Sequence, residues 1–401
     1  MKQGGSALLL MLFVLLLGVS CWLLAGNRAA PRPEQTALAL GAARDGLLSW
    51  SFARQPHAAG GNDSRPGSLP CPDLHDPDSE RSGWPGSDVL ETCNTAESRI
   101  GRLPWRSLGL EKLEDAAREP LWYLVAAPFH DSDNGPLNSD SSAHLPTFSY
   151  PPLRSLVDDG DRIVAVIFAP GAALSGQSRA SPAERLDPRQ YLEALVLDGQ
   201  SFDNASANPA SARISGRVEG KLNDRLIVIR LRELIAPVEA RAAREYLQLL
   251  QQYRNLKGSY PDAAASDDPG CTETGAVSLT GCEPKLGNCS GRPPRSGWFA
   301  TIPALERAAE ERGWLQRNRW QQVLHYRVAS ETCALTIDGE AANGLVVSTG
   351  AALSGQNRAT KADRVQAGNY LDDAQNVSGW QDSGQYRTPT KDSNDRFYRL
   401  P

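Results

Sequence analysis

Apolar and polar positions divide the chain into a few legible segments. The first is an uncharged run from Ala7 to Ala25, "ALLLMLFVLLLGVSCWLLA", with Lys2 before it and Arg28 after it. At about 19 residues it has the length of a helix that crosses a bilayer core. The next segment, "PEQTALALGAARDGLLSWSFARQ", places Leu40, Ala43, Leu47 and Trp50 at helical spacing. A second amphipathic helix is expected from Leu231, Leu234, Ile235, Val238, Ala242, Leu249, Leu250 and Tyr253, with Gly258 and Pro261 as stop signals. Short strands are expected at "LWYLVA" from Leu121, "RIVAVIFAPG" from Arg162, "RLIVIRL" from Arg225, "VLHYRVA" from Val323 and "GLVVSTG" from Gly344. A helix followed by strands, twice, is α+β order.

The chain also repeats itself. "GAALSGQSRASPAERLDPRQYLE" begins at Gly171 and "GAALSGQNRATKADRVQAGNYLD" begins at Gly350, aligned without a gap at an offset of 179. Arg179 matches Arg358, Arg185 matches Arg364 and Tyr191 matches Tyr370. Upstream, "LWYLVA" resembles "LHYRVA"; downstream, "NDRLIVIRL" resembles "NDRFYRL". The period far exceeds the roughly 20–50 residues of a solenoid repeat, so it indicates duplication of a whole domain. The expected units are 31–225 and 226–401, with the boundary between Gly216 and Arg232.

Composition narrows the function classes. The chain has 401 residues and a net charge of −5, with no strong basic run. Nucleic-acid binding therefore has no electrostatic support. Of the seven cysteines, Cys21 lies in the apolar run. The other six, Cys71, Cys93, Cys271, Cys282, Cys289 and Cys333, sit in loop-like contexts, and an even count suggests disulfides in an oxidising compartment. Cys71 and Cys93 are the one pair in the first half and form the natural first bridge. The last four allow three connectivities. No pair has C-x₂-C spacing, which disfavours zinc.

Candidate chemistry is sparse. Ser175 and Ser354 in "ALSGQ" lack the first glycine of a hydrolase elbow. The motif reads better as a turn, with Gly171, Gly176, Gly350 and Gly355 supplying permissive backbone and Gln177, Arg179 and Arg185 tying it down. His325 lies in a strand and reads as a packed residue. "HDSDNGPLNSD" offers Asp131, Asp133, Asn134 and Asn138 around Gly135, an arrangement of oxygen donors that suits a calcium loop but lacks the terminal bidentate glutamate. No phosphate loop, dinucleotide fingerprint or metalloprotease motif is present, and no enzymatic activity is expected.

The start of the chain resembles that of type IV pilins and secretion pseudopilins. A short basic leader ends in Gly5, and Ser6 and an uninterrupted apolar stretch follow. The resemblance implies a prepilin peptidase cut between Gly5 and Ser6 that leaves the apolar helix on the mature protein. Leu10 stands where the family's major subunits carry a glutamate; some minor pilins and pseudopilins lack it too. Helix-then-sheet order is also that of a pilin head, and "SLPCPD" and "GRLPWRSLGL" are similar to segments of large minor-pilin-like proteins carrying a GAALSGQ-type repeat. Pro31 and Pro33 are expected to interrupt the helix before the first head. The resemblance implies a leader at 1–5, a transmembrane helix at 6–30 and two tandem pilin-like domains, each a helix packed on an antiparallel sheet. It further implies a single-pass inner-membrane location with periplasmic heads, other pilin or pseudopilin subunits as partners, and structural calcium at Asp131, Asp133 and Asn138. The expected function is that of a structural minor pilin or pseudopilin subunit of a pilus or secretion pseudopilus. The alternative is an anchored periplasmic binding protein or adhesin with duplicated domains.

Overall fold

A computed structural model describes residues 33–54, 65–87, 92–132, 135–142, 144–157, 161–273 and 276–401. Helix α1 (Pro33–Ala53) opens with proline, whose fixed φ and missing N–H suit the first helical position. Its buried stripe is Thr36, Ala39, Leu40, Ala43, Leu47 and Ser51. Nine strands follow: β1 (Ile100–Arg102), β2 (Trp122–Val125), β3 (Thr147–Ser149), β4 (Arg154–Ser155), β5 (Ile163–Ala169), β6 (Ala194–Leu197), β7 (Gln200–Asp203), β8 (Arg213–Ser215) and β9 (Arg225–Arg230). Strands β1, β2, β5 and β9 make one antiparallel sheet in that order, and α1 packs on β5 and β9. All seven residues of β5 are buried, which is why "IVAVIFA" reads as an unbroken apolar run.

Strand β9 runs directly into α2 (Leu231–Lys257), which ends on Gly258 in the left-handed region at φ 82°. The second half carries β10 (Ser290–Gly291), β11 (Leu324–Val328), β12 (Thr336–Ile337), β13 (Glu340–Ala341), β14 (Gly344–Ser348), β15 (Gln385–Tyr386) and β16 (Arg396–Leu400). Strands β10, β11, β14 and β16 form an antiparallel sheet in that order, and α2 packs on β14 and β16. The two halves match down to register. Gly101 pairs with Tyr123 in the first sheet, and Gly291 pairs with Tyr326 in the second.

Each half also has a small satellite sheet. One has the order β4-β3-β8 and the other β13-β12-β15, and each contains a parallel pair, β3 with β8 and β12 with β15. The first half adds a β6–β7 hairpin. Its two-residue turn, Asp198-Gly199, has positive φ at both positions. A single buried cluster runs through both halves and includes Leu40, Val166, Leu234, Tyr246, Leu324 and Val346. Across the helices, Arg44 and Glu233 form an ion pair at 2.7 Å.

Two expectations need correction. The fold class set a transmembrane helix ahead of two single-sheet heads. Among the described residues, no helix is long and apolar enough to cross a membrane. Helix α1 carries Glu34, Arg44 and Asp45, and α2 carries charges along its outer face, because each buries only the stripe that meets its sheet. The leader at 1–5, including Gly5 and Ser6, and the span drawn over 6–30 lie outside the described residues. The single-pass inner-membrane placement is likewise without support among the described residues. The described architecture is instead a mixed helix and strand fold with five sheets, two of them containing parallel pairs.

Among the described residues three disulfides staple the loops: Cys71–Cys93, Cys271–Cys282 and Cys289–Cys333. The first is the bridge expected in the first half, and the others resolve the three open connectivities. Replacing Cys71 and Cys93 together with serine should lower stability by about 2–5 kcal/mol, read from urea unfolding. Alkylation of the folded protein without reductant should leave all six cysteines unmodified. Labelling of all six would contradict the bridges.

Candidate functional site

The repeated segments form the same turn twice. Gly171 and Gly350 follow β5 and β14 with φ of 71° and 62°, and Gly176 and Gly355 have φ of 94° and 85°. These are left-handed positions that glycine adopts without steric cost. Asn223 and Asn394 pack beneath Gly171 and Gly350, where an added Cβ would come within 2.9 Å of the amide nitrogen. The same amides donate to Ala172 O at 2.7 Å and Ala351 O at 2.8 Å. Gln177 Oε1 accepts from Leu174 N, and Gln356 Oε1 from Leu353 N.

An arginine then closes each turn. Arg179 donates to Gln190 O and Gly171 O, and Arg358 donates to Asn369 O and Gly350 O. Each guanidinium lies 4.2 Å from a tyrosine ring, Tyr191 or Tyr370, within cation–π range. Each also meets a carboxylate, Glu119 at 2.6 Å or Asp140 at 2.9 Å. The following segments start with capping boxes, Ser181 with Glu184 and Thr360 with Asp363.

The carboxylates expose a difference between the halves. Glu119 belongs to the first half, as Arg179 does. Asp140, the partner of Arg358, also belongs to the first half. Residues 137–140 reach across to the second half. Leu137 N donates to Asn318 Oδ1, Asn138 Nδ2 donates to Asn318 O at 2.7 Å, and Ser139 Oγ donates to Glu239 Oε1 at 3.0 Å. Glu239 also accepts from Gly350 N at 3.1 Å. In the first half, Asp115 accepts from Gly171 N at 2.7 Å, and Thr36 on α1 accepts from Ala116 N. The two helices align at the offset of 203 that relates β2 to β11, which puts Glu239 opposite Thr36. One helix residue in the second half does the work of a loop carboxylate in the first.

Burial raises several acids here. Glu239 is pushed up to about 7 by burial, against the opposing pull of the Ser139 bond and Arg358. Asp395 is pushed up to about 9 by burial and by neighbouring Asp372. Its counterpart Asp224 is also raised, by burial and by Glu193. Each turn borders an open cleft shared with its helix and the start of its edge strand. The first, about 780 Å³, is lined by Thr36, Gly171, Asn223 and Arg225. The second, about 420 Å³, is lined by Glu239, Gly350, Asn394 and Arg396. No histidine or cysteine is among the described residues lining either cleft. Ser175 and Ser354 are exposed on the turns.

Two of the three residues read as calcium ligands lie among the described residues. Asp131 lies 3.8 Å from Arg54. Asn138 holds the junction, with its Oδ1 accepting from Asp140 N. Asp133 lies outside the described residues. His325 is buried, and burial together with Arg292 and Arg358 depresses its basicity well below the usual range. Cys71, Cys93 and His130 place possible ligand atoms within 4.8 Å of one another, but both sulfurs are bonded to each other. The junction had no local signature in the sequence, because its partners are 100 to 218 residues apart. Comparison with family models, curated proteins and solved structures finds no match.

Arg358 has 4% of its side chain exposed, and Arg179 has 10%. Arg358→Ala strands Asp140 and loosens the contact between halves, so it should cost about 3 kcal/mol in urea unfolding. Arg179→Ala should cost less. Equal losses below about 0.5 kcal/mol would mean that both arginines act as free surface residues.

Glu239 gives a pH signature. Its folded-state value lies above the ordinary 4.5. Its favourable contribution is therefore complete below that value and is lost as pH rises through about 7. Unfolding midpoints should fall between pH 5 and pH 8, with Glu239 accounting for about 3 kcal/mol at most. Glu239→Gln should make the fall shallower, the part owed to the raised Asp224 and Asp395 remaining, and an unchanged profile would contradict the assignment.

Proposed function

We propose that the chain is a structural subunit of a pilus-like or pseudopilus-like filament and works by assembly, with no catalytic step. The observation that carries the reading is the doubled unit itself, a helix laid on a four-stranded antiparallel sheet and closed by the same arginine-anchored turn. Two such units share one buried cluster, and close packing across it opposes bending between them. Stiffness favours a filament component, since repeated docking costs less when partners are already ordered. The glutamine, arginine and asparagine side chains of both turns bond within the fold, which supports a structural role. The glycine-ended leader adds the chemistry of a prepilin peptidase substrate.

Processing tests this reading. Mass spectrometry of the mature protein should find Ser6 at the amino terminus, and Gly5→Leu should block that cut. An intact Met1, or a terminus near Ala30, would overturn the assignment. The mature chain should also appear in sheared filament preparations, cross-linked to other subunits.

A further inference from the structure

The two halves differ at one buried arginine. Arg102 and Arg292 each follow the matched glycine of the first strand in their sheet and form equivalent isolated bridges, to Asp73 and Ala264. In the second half this arginine is closed in on all sides. Arg292 meets His325 Nε2 at 3.0 Å, donates to Arg364 O at 2.9 Å and lies 4.4 Å from the Tyr370 ring. In the first half the counterparts of Arg364 and Tyr370 are Arg185 and Tyr191, and here the space is open. Arg102, Arg185 and Tyr191 line a cavity of about 210 Å³ walled by Trp105 and with Lys112 at its edge.

The open donors are cationic. The Arg102 side chain is 7% exposed, yet its Nε and Nη1 have no partner. Its Nη2 lies 3.4 Å from Asp73 and donates to His75 O. Arg185 Nε is buried without a partner as well. The acceptors nearby are committed or movable. Asp73 Oδ1 accepts from His75 N and its Oδ2 from Gly83 N. Asp78, paired with Arg185 at 2.5 Å, is 70% exposed and free to swing into water. Arg102 and Arg185 thus face Asp73 and Asp78 with guanidinium donors left unfilled, while Lys112 pairs with Glu114 at 3.2 Å. A buried polar donor left unpaired is costly, and a ligand oxygen would relieve it.

We propose that this cavity is a binding site for a small oxyanion, a carboxylate or phosphate group, held between the guanidinium groups of Arg102 and Arg185. The aromatic wall accommodates the body of the ligand, and the volume limits it to a small molecule or a single acidic side chain. In the second half the matching arginine is already engaged, by His325 Nε2 and the Arg364 carbonyl. The site is independent of the filament reading.

Calorimetric titration of the full chain tests it, with sodium phosphate in one arm and sodium acetate in the other, at ionic strength held constant with chloride. One saturable site per chain is expected. Binding of phosphate alone identifies a phosphate site, and binding of both identifies a carboxylate-type oxyanion site. Arg185→Gln, on the cavity rim, should weaken binding about tenfold or more, and Arg102→Lys should do likewise. Lys361→Gln, which removes an exposed charge in the second half, should leave binding unchanged. Absence of saturable binding in both arms, or equal binding by the Arg185 and Lys361 variants, would overturn the proposal. Arg185→Gln keeps the test decisive if Arg102→Lys fails to fold.

Discussion

A guanidinium taken out of water must find acceptors for its donors, and Arg358 finds them in its own turn. Its Nε and Nη1 bond to the carbonyls of Asn369 and Gly350, and its Nη2 meets Gln356. The aromatic face of Tyr370 covers it, and Asp140 neutralises it. Because two of these acceptors are backbone carbonyls, the cation dictates the path of the chain between β14 and the helical turn at Ala367–Asn369. Arg179 imposes the same path after β5. The glycines then follow as consequences, since the path requires positive φ at both ends of the turn.

The copies are nonetheless not interchangeable. The first turn is satisfied within its own half, by Asp115 and Glu119. The second borrows Ser139 and Asp140 from the first half and depends on Glu239 of α2. The second unit's turn is therefore complete only with the first unit docked against it. Arg44 with Glu233, and the shared apolar cluster, add to the same coupling. Such coupling makes the halves cooperative, because opening the junction exposes a buried cation and a buried acid together.

What the sequence revealed follows from how local each signal was. The GAALSGQ turn, the helix stripes of α1 and α2 and the buried strand β5 each write their pattern within a window of a few residues. Strands of two or three residues, such as β4, β12 and β15, are too short to show alternation, so the satellite sheets left no trace. Residues 137–140 gave no sign of the junction because oxygen-rich turns look alike whatever they bind. Asn138 and Asp140 were chosen by partners far along the chain, Asn318 and Arg358. Arg102 and Arg292 were hidden for a related reason. Their equivalence rests on strand register, which pairs Gly101 with Tyr123 and Gly291 with Tyr326.

The paired acids beneath each turn explain why the constellation recurs as a whole. Glu193 Oε2 accepts from the backbone N–H of Asn223 and of Asp224, while Asp224 Oδ2 accepts from Glu193 N. In the second half Asp372 accepts from Asn394 N, and Asp395 accepts from Asp372 N. Burial keeps Asp224 and Asp395 protonated well above the usual carboxyl range, so like charges do not meet at close quarters. This reciprocal grip sets the strand entry that carries Asn223 and Asn394 under Gly171 and Gly350. Any side chain on those glycines would displace the asparagine, and losing the asparagine would free the turn that the arginine holds. Glycine, asparagine, acid pair and arginine therefore stand or fall together, because replacing one member leaves the buried polar groups of the others without partners.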